Sequence, residues 1–253
     1  MKWMGIITFS ILAIGLSAPF HLNVIDFGTP KENSALHNFM YSLHGVGPFL
    51  SALICLFIFK NSHVQTITIF GRKPRIIWLV YLLTLIIGAV IGLEVTFIKN
   101  RHWAGLYAVS FTMVYCFFEE FGWRGFLQDA LQSFSTKTKY IVIGVVWYCW
   151  HLSFWDANSF VSEAVFFLIL LVSSWAIGQA VERTKSVAIA TYLHFIINFL
   201  FLGGLFRQDF NSKLIMTGVF VLIVALTIIY WPKISFTNRT TDIINDKVDK
   251  NIK

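Results

Sequence analysis

Apolar residues run through this chain in long blocks instead of the alternating or half-apolar patterns of soluble elements. Blocks of roughly 16–20 residues, enough to cross ~30 Å of hydrocarbon as helix, occupy positions 3–20, 44–59, 76–93, 103–118, 140–154, 161–181, 187–205 and 214–231. The pattern predicts an all-α polytopic membrane helix bundle of about eight transmembrane helices within residues 1–232. Residues 233–253 are polar, mixed in charge and without apolar periodicity, and are expected to form a mobile cytoplasmic tail. Composition agrees: 57% of residues are apolar and only 13% charged, well outside the soluble average.

Charge then orients the bundle, because Lys and Arg collect in cytoplasmic connections. With the amino terminus inside, Lys2, the group Lys60, Arg72, Lys73 and Arg75, the pairs Lys137/Lys139 and Arg183/Lys185, and the five basic tail residues all face the cytoplasm. Lys31, Lys99, Arg101, Arg207 and Lys213 fall outside. Leaving Arg124 aside, the split is 14 to 5, which favours an even number of spans in the cell membrane with both termini cytoplasmic. The net charge of +7 follows from this topology and from anionic lipid. Basic residues are spread over several loops with few aromatics between them, so no nucleic acid partner is expected.

The connection 21–43 carries Asp26, Gly28 and Pro30, which are turn formers. His21, His37 and His44 lie in or beside it at no common ligand spacing and read as solvated histidines. Cys55, Cys116 and Cys149 sit in apolar blocks and read as small core residues. Gly88 and Gly92 form a small-xxx-small pair suited to close helix packing. The first block resembles a signal peptide, but Pro19 after Ala18 spoils the cleavage site and the block is retained as a span.

Three places break the apolar pattern. A charged side chain at the centre of a membrane helix costs roughly 2.5–3.5 kcal/mol on insertion scales, so such residues mark chemistry or transport. Glu120 and Arg124 stand at i and i+4 and can pair on one face of a helix continued to about Ser133. Glu119 then points about 100° away and is left available as a base. Trp147 precedes His151 by four positions and shares its face. His194 and Asn198, also four apart, offer two hydrogen-bonding groups to one interior point. With ~1.5 Å of rise per residue, all four of Glu119, His151, His194 and Asn198 are expected to meet in the cytoplasmic half of the bilayer.

The ordered set Glu119-Glu120-x-x-x-Arg124, Trp147-x-x-x-His151 and His194-x-x-x-Asn198 resembles the CPBP family of intramembrane proteases, the CAAX protease and bacteriocin-processing enzymes. The matching region covers about residues 103–205. The resemblance implies an intramembrane endopeptidase in which Glu119 and His151 activate water, and His194 and Asn198 stabilise the oxyanion. Glu120, Arg124 and Trp147 support them. Trp147 departs from the phenylalanine more usual in the family. The implied substrate is a membrane peptide or lipidated protein, prenylated or leader-like.

A zinc site of Glu119, His151 and His194 is a second mechanism the residues allow; the metal-free route is preferred, because His194 and Asn198 suit an oxyanion role. No Gly-x-Ser-x-Gly or His-Glu-x-x-His signature occurs. Two other classes stay open: a proton- or cation-coupled transporter using the same residues, and a non-catalytic immunity or scaffold protein of the same fold.

Overall fold

A computed structural model describes residues 2–22, 24, 43–60, 65–93, 98–156, 159–201 and 210–231. The expected tail, His37 and most of the 21–43 connection lie outside the described residues. Helix α1 spans Lys2–His21, and a 3₁₀ turn, Leu43–Gly45, leads into α2, Val46–Ile58. Pro48 occupies the first turn of α2, where its missing N–H costs nothing. Helix α3, Pro74–Ile91, begins on a proline for the same reason.

Helix α4 begins at Arg101 and continues to Ala130. The Asn100 side chain caps it, accepting from the backbone N–H groups of His102 and Trp103. It stops short of the predicted Ser133, and its stretch Phe121–Leu127 is wound as π-helix. Helix α5, Thr136–His151, is capped by Ser135 and ends at Leu152 in left-handed conformation, φ 52°. Helix α6, Phe160–Thr184, ends likewise at Lys185, φ 53°. Helices α7, Val187–Phe201, and α8, Phe210–Tyr230, complete the chain.

These eight helices fall on the eight apolar blocks, and the described residues contain no strand. Three helices are long and apolar enough to cross a membrane by length and composition alone: Trp3–His21, Pro74–Ile91 and Phe160–Thr184. The solvent-facing surface of the helices is apolar. Ile11, Phe57, Val90, Val172 and Leu222, from five helices, are each more than half exposed, an arrangement water would not tolerate but lipid does. The interior instead buries Glu119, Glu120, Arg124, Gln128, Asp129, Lys139, His194 and Asn198. The chain is therefore a membrane protein with polar groups turned inward.

Helix α4 runs between two apolar clusters. One gathers α3, α4, α7 and α8 around Val109, Tyr192, Phe195 and Phe220. The other gathers α1, α2, α5 and α6 around Phe9, Trp123, Ile143 and Ile177. Close approach on both sides needs glycine. A Cβ on Gly105 would stand 2.0 Å from the Gly88 carbonyl oxygen and 3.1 Å from Gly92 Cα, so the expected small-residue pair does admit α4. On the other side, a Cβ on Gly122 would lie 2.6 Å from Pro48 Cβ. All three cysteines are free thiols, and Cys55 and Cys116 are buried.

At the end of the bundle near the N-terminus, residues 65–70 form a strap. Asp129 accepts hydrogen bonds from the Thr66 N–H at 2.6 Å and the Thr66 hydroxyl at 2.5 Å. Thr68 pairs with Ser186 in an isolated parallel bridge, with Thr68 N–H donating to Lys185 and Val187 N–H donating to Thr68.

Candidate active site

The π-wound stretch of α4 decides how the site is presented. Gly122 and Gly125 place little bulk there, and wide turns of this kind recur at functional positions. Glu119 and Glu120 lie just before it, both buried, and look to different neighbours. Glu120 Oε1 pairs with Arg124 at 2.8 Å, as the i, i+4 spacing predicts. The same oxygen lies 2.9 Å from His194 Nδ1, within ion-pair distance. Arg124 also lies 4.8 Å above the Trp147 ring, a cation–π contact.

Glu119 is held by indoles. Trp147 donates its N–H to Glu119 Oε2 at 3.0 Å, and Trp123 donates to the same oxygen at 3.4 Å. The second oxygen, Oε1, has no hydrogen-bond partner among the described residues. The indoles thus fix one oxygen of the carboxylate, the Tyr115 hydroxyl adds a hydrogen-bonding group beside it, and Oε1 is the oxygen placed to take a proton or hold water.

The remaining predicted residues gather around Trp147. Its ring stacks with His151, centroids 6.3 Å apart and planes at 26°, so the shared helix face is realised. His194 meets the same ring edge-on at 5.1 Å. Asn198 donates from Nδ2 to Cys116 Sγ at 3.3 Å, which fixes the amide one turn beyond His194. Glu119, Trp147, His151, His194 and Asn198 all line a single cavity of about 300 Å³. Glu120 and Arg124 are buried behind that wall. Trp147 touches both Glu119 and His151.

Sequence reasoning missed part of the wall. Tyr115, His21 and His44 also line the cavity, and His21 packs 5.2 Å from His44 and 6.1 Å from His151 between ring centroids. The sequence pattern predicts both histidines as solvated, and the structure places them in the cavity wall instead. Their position at the edges of apolar blocks, level with His151, was the signal available. Their location shows which way the cavity runs. His21 ends α1, His151 ends α5, and His44 precedes α2, so the cavity extends from mid-bundle toward the end opposite the N-terminus.

The zinc alternative fits poorly. Among the described residues no three His, Cys, Asp or Glu side chains stand close enough to hold a metal ion. Glu119 Oε2 already serves two indoles, and His194 Nδ1 faces Glu120.

Comparison with known proteins follows the same region. Residues 100–200 match the family model described as type II CAAX prenyl endopeptidase Rce1-like. CAAX prenyl protease 2 of Methanococcus maripaludis is 27% identical over 250 residues, covering 89% of this chain and 83% of the relative. Lysostaphin resistance protein A of Staphylococcus haemolyticus is 26% identical, covering 95% and 70%. Its counterpart from Staphylococcus epidermidis strain ATCC 35984 is 25% identical, covering 99% and 68%. The resemblance drawn from the sequence is borne out as a match of residues 100–200 to that family model. The match, with the similarity to a CAAX prenyl protease, supports an intramembrane endopeptidase.

Proposed function

We propose that the chain hydrolyses a peptide bond of a membrane-associated substrate with a water activated by Glu119. The observation that carries this reading is the unpartnered Oε1 of Glu119 in a cavity shared with His151, His194 and Asn198. A general base must reach a water, and donors must face the oxygen on which charge develops.

Glu119 takes a proton from a water held between its Oε1 and His151. The resulting hydroxide attacks the carbonyl carbon, and the C=O electron pair moves to oxygen. The Asn198 amide and the His194 ring donate to that oxyanion. The oxyanion then re-forms C=O as the C–N bond breaks, Glu119 returns its proton to the leaving nitrogen, and the carboxylic acid and amine produced exchange the remaining proton to leave as carboxylate and ammonium. Glu120 and Arg124 hold His194 in place from behind. The route is written with Glu119 as the base and without a metal.

The substrate is a peptide anchored in or on the bilayer, prenylated or leader-like, entering from the end of the bundle that carries His21 and His44. Purified protein in lipid nanodiscs, offered membrane peptides with prenyl and unmodified ends, provides the test. Cleavage lost in Glu119→Gln and retained after stringent chelation is expected. Cleavage unaffected by Glu119→Gln would overturn the proposal, and loss on chelation with recovery on zinc would overturn its metal-free form.

A further inference from the structure

Behind the carboxylate pair, buried polar atoms without partners continue away from the cavity. Arg124 Nε and Nη2, Gln128 Oε1 and the Tyr140 hydroxyl are all buried and all lack a hydrogen-bond partner among the described residues. They are near one another. Arg124 and Gln128 are one turn apart on α4. Gln128 Nε2 donates to the Gly178 carbonyl at 3.1 Å, and the Tyr140 ring packs so tightly on Gly178 that a Cβ there would lie 2.1 Å from it. Tyr140 is also within electrostatic reach of Arg124.

Unpaired groups of this kind are rare in folded interiors and are normally satisfied by ordered water. The set has the right composition for one: two guanidinium donors, an amide acceptor and a hydroxyl that can do either. Two of the partners are fixed by other bonds and cannot turn to pair with each other. Beyond them Gln128 Nε2 donates to Glu182 Oε1 at 3.3 Å. Glu182 is partly exposed, pairs with Lys185 at 2.7 Å and with Lys139, and lines a surface groove. That groove is at the opposite end of the bundle from His21 and His44.

We propose that Arg124, Gln128 and Tyr140 enclose a buried hydration site, which joins the carboxylate centre to Glu182 as a path for water and protons from the end remote from the cavity. The inference rests on the hydrolytic reading above. Each turnover consumes one water, and a peptide seated in the cavity blocks the direct supply. A rear path lets the next water reach Glu119 and Glu120 while the mouth is filled. Along it a proton moves by exchange between Arg124-bound water, Tyr140 and Gln128-bound water, so no charge is left behind. Gln128 and Tyr140 act here as positioning residues.

Hydroxyl-radical labelling by X-ray pulses reads bound water directly, because radicals form where water sits. In intact protein in nanodiscs, Tyr140, only 2% exposed, is expected to be oxidised, with the 75% exposed Trp155 as reference. Gln128→Leu is expected to cut that labelling and, with Tyr140→Phe, to lower kcat about tenfold at unchanged KM, the effect of one lost hydrogen bond. Tyr140→Phe keeps the ring on Gly178, so it guards against misfolding as an explanation. Unlabelled Tyr140 in the wild type overturns the site. Labelling with full kcat in both variants overturns the path. Labelled Tyr140 in a chain that cleaves no peptide keeps the hydration site and overturns the peptidase reading instead.

Discussion

Trp147 is the residue on which the site turns. Its N–H fixes Glu119, its face carries Arg124, its edge meets His194 and its plane stacks with His151. A phenylalanine there would keep the wall and lose the hydrogen bond. Trp147→Phe is therefore expected to lower kcat about tenfold while leaving KM and thermal stability nearly unchanged, as steady-state cleavage assays would show. Asn198→Ala removes an oxyanion donor and is expected to cost roughly 10²–10³ in kcat. Arg124→Leu acts differently, because it strands a buried Glu120. Destabilisation of about 3–5 kcal/mol is expected, visible as an earlier unfolding transition in detergent. Most of these residues were legible in the sequence, since a charge or amide in an apolar block is conspicuous. The division of labour between Glu119 and Glu120 followed from helical spacing alone. Tyr115, His21 and His44 were harder to read: Tyr115 sits in an apolar block like any packing aromatic, and the edge position of the two histidines is shared by wet loop residues.

Among the elements, α4 departs furthest from expectation. An ideal α-helix accounts for the Glu120–Arg124 pair, but the sequence offered no sign that Phe121–Leu127 would widen to π-helix. Two glycines among large aromatics are the only hint, and they are equally consistent with ordinary packing. Their use becomes clear in contact with α2, where Gly122 lies flat against Pro48. Gly122→Ala is expected to push α2 off the catalytic helix, with a fall in thermal stability and in activity together. An unchanged melting temperature would show that Pro48 gives way. The other helices were readable from apolar length; the Asn100, Ser135 and Ser159 caps that fix three of their starts are findings of the structure.

For the whole molecule, the direction of the cavity sets up a test of sidedness. The charge split of 14 to 5 leads us to expect the N-terminal end in the cytoplasm, and the cavity lies toward the other end. In a chain with its three native cysteines replaced, His44→Cys is expected to react with a membrane-impermeant thiol reagent from outside the cell, and Lys185→Cys only after the membrane is opened. The reverse pattern would place the termini outside. Helix count and lipid-facing surface were legible because the bilayer imposes them; the tilt of the cavity toward one end depends on tertiary contacts that no single helix records. The strap at residues 65–70 carries a consequence for biogenesis. Thr68 finds its backbone partner at Ser186, synthesised more than a hundred residues later. At about 5–20 residues per second, the nascent protein must wait several seconds, with α2 and α3 already delivered by the translocon, before the loop between them can be locked. Quality-control proteases would meet an unlatched intermediate throughout that interval, and chains truncated before α7 should never escape it.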